Sequence, residues 1–361
     1  MTGIRAQLGF LSVATWMFLG ALGCAAEVAS DDADSIGSTA APLAESDPVP
    51  AEVLDCLRSN RRLTSAQLDR VYHLDHYVRV GHGRRVHVTE AFTLRSWLSW
   101  PHRASLVLPG YPGNADFYNL DVDGYRFQDT LAGEGHFAFV AEYEGTGQST
   151  YPENGLDLTH DRAVETMRKI VAFIRLARLV PKVDLIGASN GGAIATELCA
   201  DSRAVRSCIL SSMLYTEGTP FFYAVFQDPA LLGFFASQPN GYVDVTPDLF
   251  FNILSRTNPE VTAAILATQP GIYAVQPFLE FADIPYFDPT RARVPGLIIQ
   301  GTEDNVATQA DADLLAAAYG SVGGGTATVV RIEGAGHIPN IEPAPINDQF
   351  TAAVLDFLDA P

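Results

Sequence analysis

Short apolar runs punctuate this chain, and several end in glycine-rich turns. Ser105–Leu108, Phe137–Tyr143, Val183–Gly187, Val205–Leu210, Leu297–Gln300 and Thr328–Ile332 are four to seven residues long and rich in Val, Ile, Leu and Phe. Runs this short and this uniformly apolar predict strands buried on both faces, as in a parallel sheet. Tyr72–Val80 and Arg85–Thr89 flank Gly81-His-Gly83 and mix polar with apolar positions, which predicts an antiparallel pair at one edge. Helical periods fill several of the gaps. The clearest runs from Asp161 to Leu179, where Val164, Met167, Ile170, Val171 and Ile174 recur at spacings of three and four between Arg and Lys. Strand and helix in alternation predict an α/β fold on a mostly parallel sheet. The rhythm breaks at Met213–Arg293, some 80 residues that are too many for a loop. Nine prolines there imply short helices, and 15 of the chain's 36 aromatic residues imply an apolar interior.

The run Val183-Asp-Leu-Ile-Gly187 breaks into Ala188-Ser-Asn-Gly-Gly192, and small residues of helical type follow. Strand, Gly-x-Ser-x-Gly and helix together predict a nucleophile elbow at Ser189. Its hydroxyl would stand on a strained turn, and Gly187 and Gly191 would spare the crowded strand and helix a Cβ clash. Two later strands also end in polar turns. One carries Gly301-Thr-Glu-Asp304, the other Gly334-Ala-Gly-His337. Serine, carboxylate and imidazole, each at a strand end, are the parts of a charge-assisted acyl-transfer site.

Their order along the chain, Ser189, Asp304, His337, resembles that of the α/β-hydrolase family. Three further segments strengthen the likeness. Leu106-Val-Leu-Pro-Gly-Tyr-Pro-Gly113 resembles the family's strand and oxyanion loop, with Pro109 where His is frequent. Glu142-Tyr-Glu-Gly-Thr-Gly-Gln-Ser149 resembles its Asp-x-Arg-Gly-x-Gly-x-Ser turn, with Glu144 where Arg is common and a positive charge therefore missing. Gly336-His-Ile-Pro-Asn-Ile-Glu-Pro343 resembles the segment around its histidine. The resemblance runs from about Val71 to Pro361. It implies an eight-stranded, mostly parallel sheet flanked by helices, in a domain of residues 56–361 with a helical cap at 213–293. It also implies Ser189 as nucleophile, His337 as base and Asp304 as its partner acid, with the backbone N–H groups of Tyr111 and Asn190 as the oxyanion hole. Neither cofactor nor metal is expected. Asp304 fits the family's Gly-x-x-Asp spacing better than Glu303 does.

The first 23 residues hold one charge, Arg5, before an apolar run that ends at Cys24. They read as an export signal. Ala21-Leu-Gly-Cys24 resembles the lipobox of bacterial lipoproteins, which implies acylation of Cys24; simple cleavage or an uncleaved anchor are the alternatives. Residues 24–55 contain eight acids and no Lys or Arg, and read as a disordered tether. The formal charge of −19 falls to −12 once leader and tether are set aside. So acidic a chain is a poor partner for nucleic acid. No segment after the leader is long and apolar enough to span a bilayer. Cys56, Cys199 and Cys208 permit at most one intramolecular disulfide, and Cys199 and Cys208 read as small buried hydrophobes. No cysteine pair has zinc spacing, and the histidines do not cluster as ligands.

The remaining polar residues read as structural. His73, His76, His82 and His87 are expected on the surface or in strand pairing, His136 at a strand start and His160 at a helix start. Asp311 and Asp313 are expected solvated on the helix after Asp304. The default activity is hydrolysis of a small or medium apolar ester, of carboxylesterase or lipase type. A proline-iminopeptidase-like exopeptidase is the rival, and would bind a short peptide's free amine through a carboxylate of the 213–293 segment: Glu217, Glu260, Glu280 or Asp283. Ser189 speaks against epoxide hydrolases and haloalkane dehalogenases, whose nucleophile is Asp. A non-catalytic binding protein on the same scaffold is the third reading.

Overall fold

The computed structural model describes residues 64–244, 256–269 and 271–360. The leader, Cys24, the acidic tether and Cys56 lie outside the described residues. Eight strands form one sheet: β1 (Val71–Gly81), β2 (Arg84–Thr93), β3 (Arg103–Leu108), β4 (His136–Ala141), β5 (Val183–Ala188), β6 (Val205–Ser211), β9 (Gly296–Gly301) and β10 (Ala327–Ile332). Their spatial order is β1-β2-β4-β3-β5-β6-β9-β10. β1 pairs antiparallel with β2, and β2 with β4; every other pairing is parallel. This is the sheet the resemblance implies, with the antiparallel edge the polar alternation predicts.

Successive strand residues point to opposite faces, and both faces of the central strands are covered, which is why their runs are mainly apolar. On one face Leu106, Leu185 and Leu210 pack with helices α2 (His160–Arg178) and α3 (Asn190–Leu198) through Met167, Ile170, Ile174 and Ile194. On the other, Val107, Ile186 and Ile209 meet α1 (Phe127–Gly133) and α9 (Ile346–Asp359) through Leu131, Phe350 and Val354. Thr159 caps α2 by accepting from the Arg162 N–H, so His160 is its first residue, as expected. The helix ends at Leu179 in a left-handed conformation (φ 52°), and Pro181 prevents its resumption.

Between β6 and β9 lie α4 (Pro220–Phe226), α5 (Pro229–Ala236), α6 (Pro259–Thr268) and α7 (Gln276–Phe281). Each has proline at its first or second position, where a missing N–H costs nothing. A two-stranded antiparallel ribbon, β7 (Tyr242–Asp244) with β8 (Ile272–Ala274), adds a strand pair to the helices expected there. Phe222, Phe226, Phe235, Tyr273 and Phe278 form a separate apolar cluster with Val306 and Ala307 after β9. α6 instead seats Val261 and Ile265 against the main body.

Three expectations need correction. Cys199 and Cys208 form a disulfide rather than sitting as independent hydrophobes. The chain leaves α3 and re-enters the sheet as β6 beside it, which brings their Cα atoms to 6.3 Å. Asp311 is fully buried at the start of α8 (Gln309–Ala318), not solvated. Its carboxylate accepts from the N–H groups of Tyr215, Thr216 and Glu217 at 2.8–3.0 Å and from Thr308. It thus ties the start of the aromatic segment to the body. His87 takes part in strand pairing, as expected, opposite Tyr77 in the β1–β2 register; it is also 2% exposed, with Asp75 on one ring nitrogen and Glu142 near the other. Lastly, the turn at Glu144 does not lack a cation: the buried carboxylate accepts from Arg162, Arg84 and Thr166, so the charge has moved to neighbouring elements.

Candidate active site

The end of β5 fixes the first side chain. Ser189 has φ 49° and ψ −122°, a conformation that L-residues avoid unless their surroundings impose it. Those surroundings are tight. A Cβ on Gly187 would lie 2.5 Å from the Gly191 carbonyl oxygen, and one on Gly191 would lie 2.1 Å from that of Leu108. Only glycine at both positions lets β5, α3 and the loop after β3 meet at this corner. The Ser189 N–H donates to the Ser211 carbonyl at 2.9 Å, which pins the turn to β6.

β9 and β10 deliver the other two. His337 Nε2 lies 3.1 Å from Ser189 Oγ, and its Nδ1 lies 3.0 Å from each Asp304 carboxylate oxygen. Asp304 also accepts from the N–H groups of Val306 and Ala307 and from Gln300 Nε2, at 2.8–3.1 Å. An ionised carboxylate can only accept, so Nδ1 carries the proton and Nε2 offers its lone pair to the serine hydroxyl. Asp304 and His337 are both buried. Glu303, the neighbouring acid, points away to a surface pair with Arg256. The three residues expected from sequence therefore meet in one contact chain.

Glu342 was legible only as part of the quoted segment, with no role given to it. It is fully buried, and its carboxylate accepts the Gly336 N–H at 2.9 Å, which fixes the turn that presents His337. Burial raises its pKa, against the stabilising Gly336 hydrogen bond. Gln300 was missed because it lies inside a strand and reads as part of its run.

The loop after β3 lies against the serine. A Cβ on Gly110 would be 3.2 Å from Ser189 Cβ. Tyr143 Oη donates to the Pro109 carbonyl at 2.8 Å, and Tyr111 Oη to the Ala274 carbonyl at 2.7 Å, so the loop is held from both sides. Tyr111 follows Gly110 directly, and Asn190 is the first residue of α3, where a helix leaves its N–H groups without intrahelical partners. The two expected oxyanion donors thus belong to backbone that flanks Ser189.

Ser189 and His337 open into a cavity of about 840 Å³, solvent at its mouth included. Phe117, Leu214, Phe222, Phe226, Phe278 and Phe281 line much of it. Among the described residues its lining holds no Asp, Glu, Lys or Arg. A second cavity of about 460 Å³ adjoins it across Tyr111, with Glu144, Thr159, His160, Arg162, Asn190 and Glu280 in its wall beside Leu158, Met167 and Pro277. Burial pushes the His160 imidazole down to about 4 and the Glu280 carboxyl up. Glu280 accepts from the His160 N–H at 2.9 Å, a bond between α7 and the start of α2.

A family model described as the alpha/beta hydrolase family matches residues 106–349. No curated protein sequence matches the chain. Among solved structures, a bacterial membrane phospholipase A described as a virulence factor aligns with a TM-score of 0.57 at 18% identity, over 86% of this chain and 93% of its own. A bromoperoxidase from Bacillus anthracis aligns with a TM-score of 0.57 at 15% identity, over 79% and 100%. A monoacylglycerol lipase from Paleococcus ferrophilus aligns with a TM-score of 0.54 at 17% identity, over 71% and 93%. At these identities the likeness is one of fold, and the three differ in what they act on.

Proposed function

The chain belongs to the alpha/beta hydrolase family, and from that premise we propose that it is a serine hydrolase cleaving a carboxylic ester of a small or medium apolar substrate through an acyl-enzyme. The observation that carries this reading is the contact chain Asp304–His337–Ser189 opening into a cavity walled by phenylalanine. Ser189 Oγ attacks the carbonyl carbon as His337 Nε2 takes its proton. Asp304 keeps the imidazole in the required tautomer and stabilises the imidazolium that forms. The Tyr111 and Asn190 N–H groups receive the oxyanion. His337 then protonates the leaving alkoxide, and a water that it activates cleaves the acyl-enzyme.

The exopeptidase reading is weaker. None of Glu217, Glu260, Glu280 and Asp283 lines the cavity that holds Ser189, and Glu280, in the adjoining one, is engaged by the His160 N–H and Gln276. A purely binding role would leave the serine–histidine contact without a use. Export and acylation of Cys24 complete the proposal. The disulfide supports export, because such bonds persist in oxidising compartments.

A fluorophosphonate probe is expected to label Ser189 alone, and p-nitrophenyl esters to be cleaved in preference to amino-acyl anilides. Faster cleavage of the anilides would install the exopeptidase reading. Labelling of a serine other than Ser189 would remove the site. Acylation is checked by intact mass: an unmodified chain beginning at Ala25 or later refutes it.

A further inference from the structure

Four of the large apolar side chains exposed in the described residues fall on two adjoining segments. Leu98 (57% exposed) and Trp100 (72%) follow the short helix Leu94–Leu98, and Leu176 (78%) and Leu179 (67%) close α2. His102 ties the segments together. Its Nδ1 faces the Arg178 carbonyl at 2.9 Å and its Nε2 the Trp97 carbonyl at 3.2 Å. The Trp100 ring packs edge-on against the His102 ring, with centroids 5.2 Å apart. Isolated exposed leucines need no explanation, but a rim of Trp and Leu on one face does.

The charge here also departs from the rest of the molecule. Residues 94–103 and 175–182 contain five Lys or Arg and no acid, in a chain of net charge −19. Arg95, Arg103 and Arg178 are paired with Asp69, Asp359 and Glu90. Arg175 and Lys182 make no ion pair among the described residues and lie beside Leu176 and Leu179 in sequence. Tryptophan with leucine beside uncompensated cations is the composition that suits a bilayer interface with anionic headgroups.

Position completes the case. The Arg95–Asp69 pair holds the segment Ser65–Asp69 to this face, so the first described residues of the chain lie here. Trp100–His102 and Pro181–Lys182 lead into the amino ends of the parallel strands β3 and β5, whereas Ser189 stands at the carboxyl end of β5. Six strand residues, roughly 20 Å, separate the two edges.

We propose that this face, built on Leu98, Trp100, Leu176 and Leu179, rests on a lipid bilayer whose anionic headgroups meet Arg175 and Lys182. The active site then faces away from the bilayer and takes its ester from the aqueous side. The contact is peripheral, since no helix among the described residues is long and apolar enough to cross a membrane. It shares a membrane location with the proposed anchoring at Cys24 but does not depend on acylation.

The test uses the full chain with Trp16→Phe, so that tryptophan emission comes from Trp97 and Trp100. Vesicles of phosphatidylcholine and phosphatidylglycerol with dibrominated acyl chains are expected to quench that emission. The quenching is expected to disappear when Trp100→Phe is added and to weaken with Arg175→Gln and Lys182→Gln. Ester hydrolysis by every variant is expected to stay unchanged, which confirms the fold. Quenching that is absent, or that survives Trp100→Phe, overturns the proposal. So does a dimer in solution that Trp100→Ser converts to monomer, because a second copy would then own the face. Failure of the anchor reads differently: Cys24 is found unmodified while Trp100 quenching persists. A chain that sediments with membranes without Trp100 quenching has an anchor and no docking face.

Discussion

A serine hydroxyl is a weak nucleophile, and three neighbours change that here. In the proposed mechanism His337 Nε2, at 3.1 Å, takes the proton, and Asp304 acts only through His337, which it orients. Asp304→Asn would put an amide where the carboxylate stands and present a donor to Nδ1. The imidazole would then turn its protonated nitrogen toward Ser189. We expect kcat to fall by about 10³–10⁴, as for the corresponding change in serine proteases, with the thermal midpoint little moved. Steady-state kinetics beside a melting curve check this, and full activity would move the role to another acid. Glu342 acts one step further out. Glu342→Ala would orphan the buried Gly336 N–H, at a cost of about 1–3 kcal/mol. A lower melting temperature should accompany a lower kcat, because the turn that aims His337 would loosen. A variant that melts lower at full kcat would leave Glu342 a role in stability alone.

At the level of elements, the sequence carried the strands more clearly than their partnerships. Most parallel strands announced themselves because burial on both faces keeps their runs mainly apolar, although β5 carries Asp184, β6 Arg206 and the edge strand β10 Arg331. Ser189, Asp304 and His337 were legible because each stands where such a run breaks into a turn. The disulfide was not, because the spacing of Cys199 and Cys208 says nothing about whether α3 folds back on β6. Asp311 was misread for a related reason. On an isolated helix it would be solvated, and only the return of residues 215–217 across its end buries it. Glu144 was read as a missing cation, whereas Arg84 on β2 and Arg162 on α2 supply two from a distance in sequence. Pairing across elements is decided by topology, which local pattern does not encode. The disulfide offers a measurable consequence. It closes a loop with a sequence separation of nine, for which chain entropy gives about 2.5 kcal/mol. Cys199→Ala with Cys208→Ala should lower unfolding stability by that order in denaturant titrations and leave kcat intact. Equal stability would mean that the native state stores compensating strain.

Over the whole molecule, two couplings join the sheet to its surroundings. The first is electrostatic and sits at the antiparallel edge. Burial alone would lower the pKa of His87, but its bonds to Asp75 and Glu142 outweigh burial and raise it to about 9. A pKa raised on folding adds stability below the unfolded value, roughly 6.5, and loses it as pH climbs through the folded one. Stability should therefore decline between about pH 6.5 and 9, by an amount on the order of 3 kcal/mol. His87→Asn should remove that slope while lowering stability at neutral pH. Chemical denaturation across the range tests both, and a wild-type curve flat from pH 6.5 to 9 would exclude a charged His87.

The second coupling sets what the enzyme accepts. The aromatic segment between β6 and β9 roofs the cavity over Ser189, and Phe226 stands in that roof against Phe222 and Phe281. An apolar chain entering such a cavity gains about 0.8 kcal/mol per buried methylene, close to fourfold in kcat/KM. A series of p-nitrophenyl esters should therefore rise by about that factor per carbon, then fall when the chain meets the far wall. Phe226→Ala removes a ring from that wall, at a stability cost of about 3 kcal/mol because Phe226 is also buried core. The turning point should move to longer chains, while the slope of the rising limb stays the same, since water leaves each methylene as before. Were the turning point to stay fixed in Phe226→Ala, the phenylalanine roof would not bound the acyl chain, and the second cavity, beyond Tyr111, would become the place to look for the substrate's end.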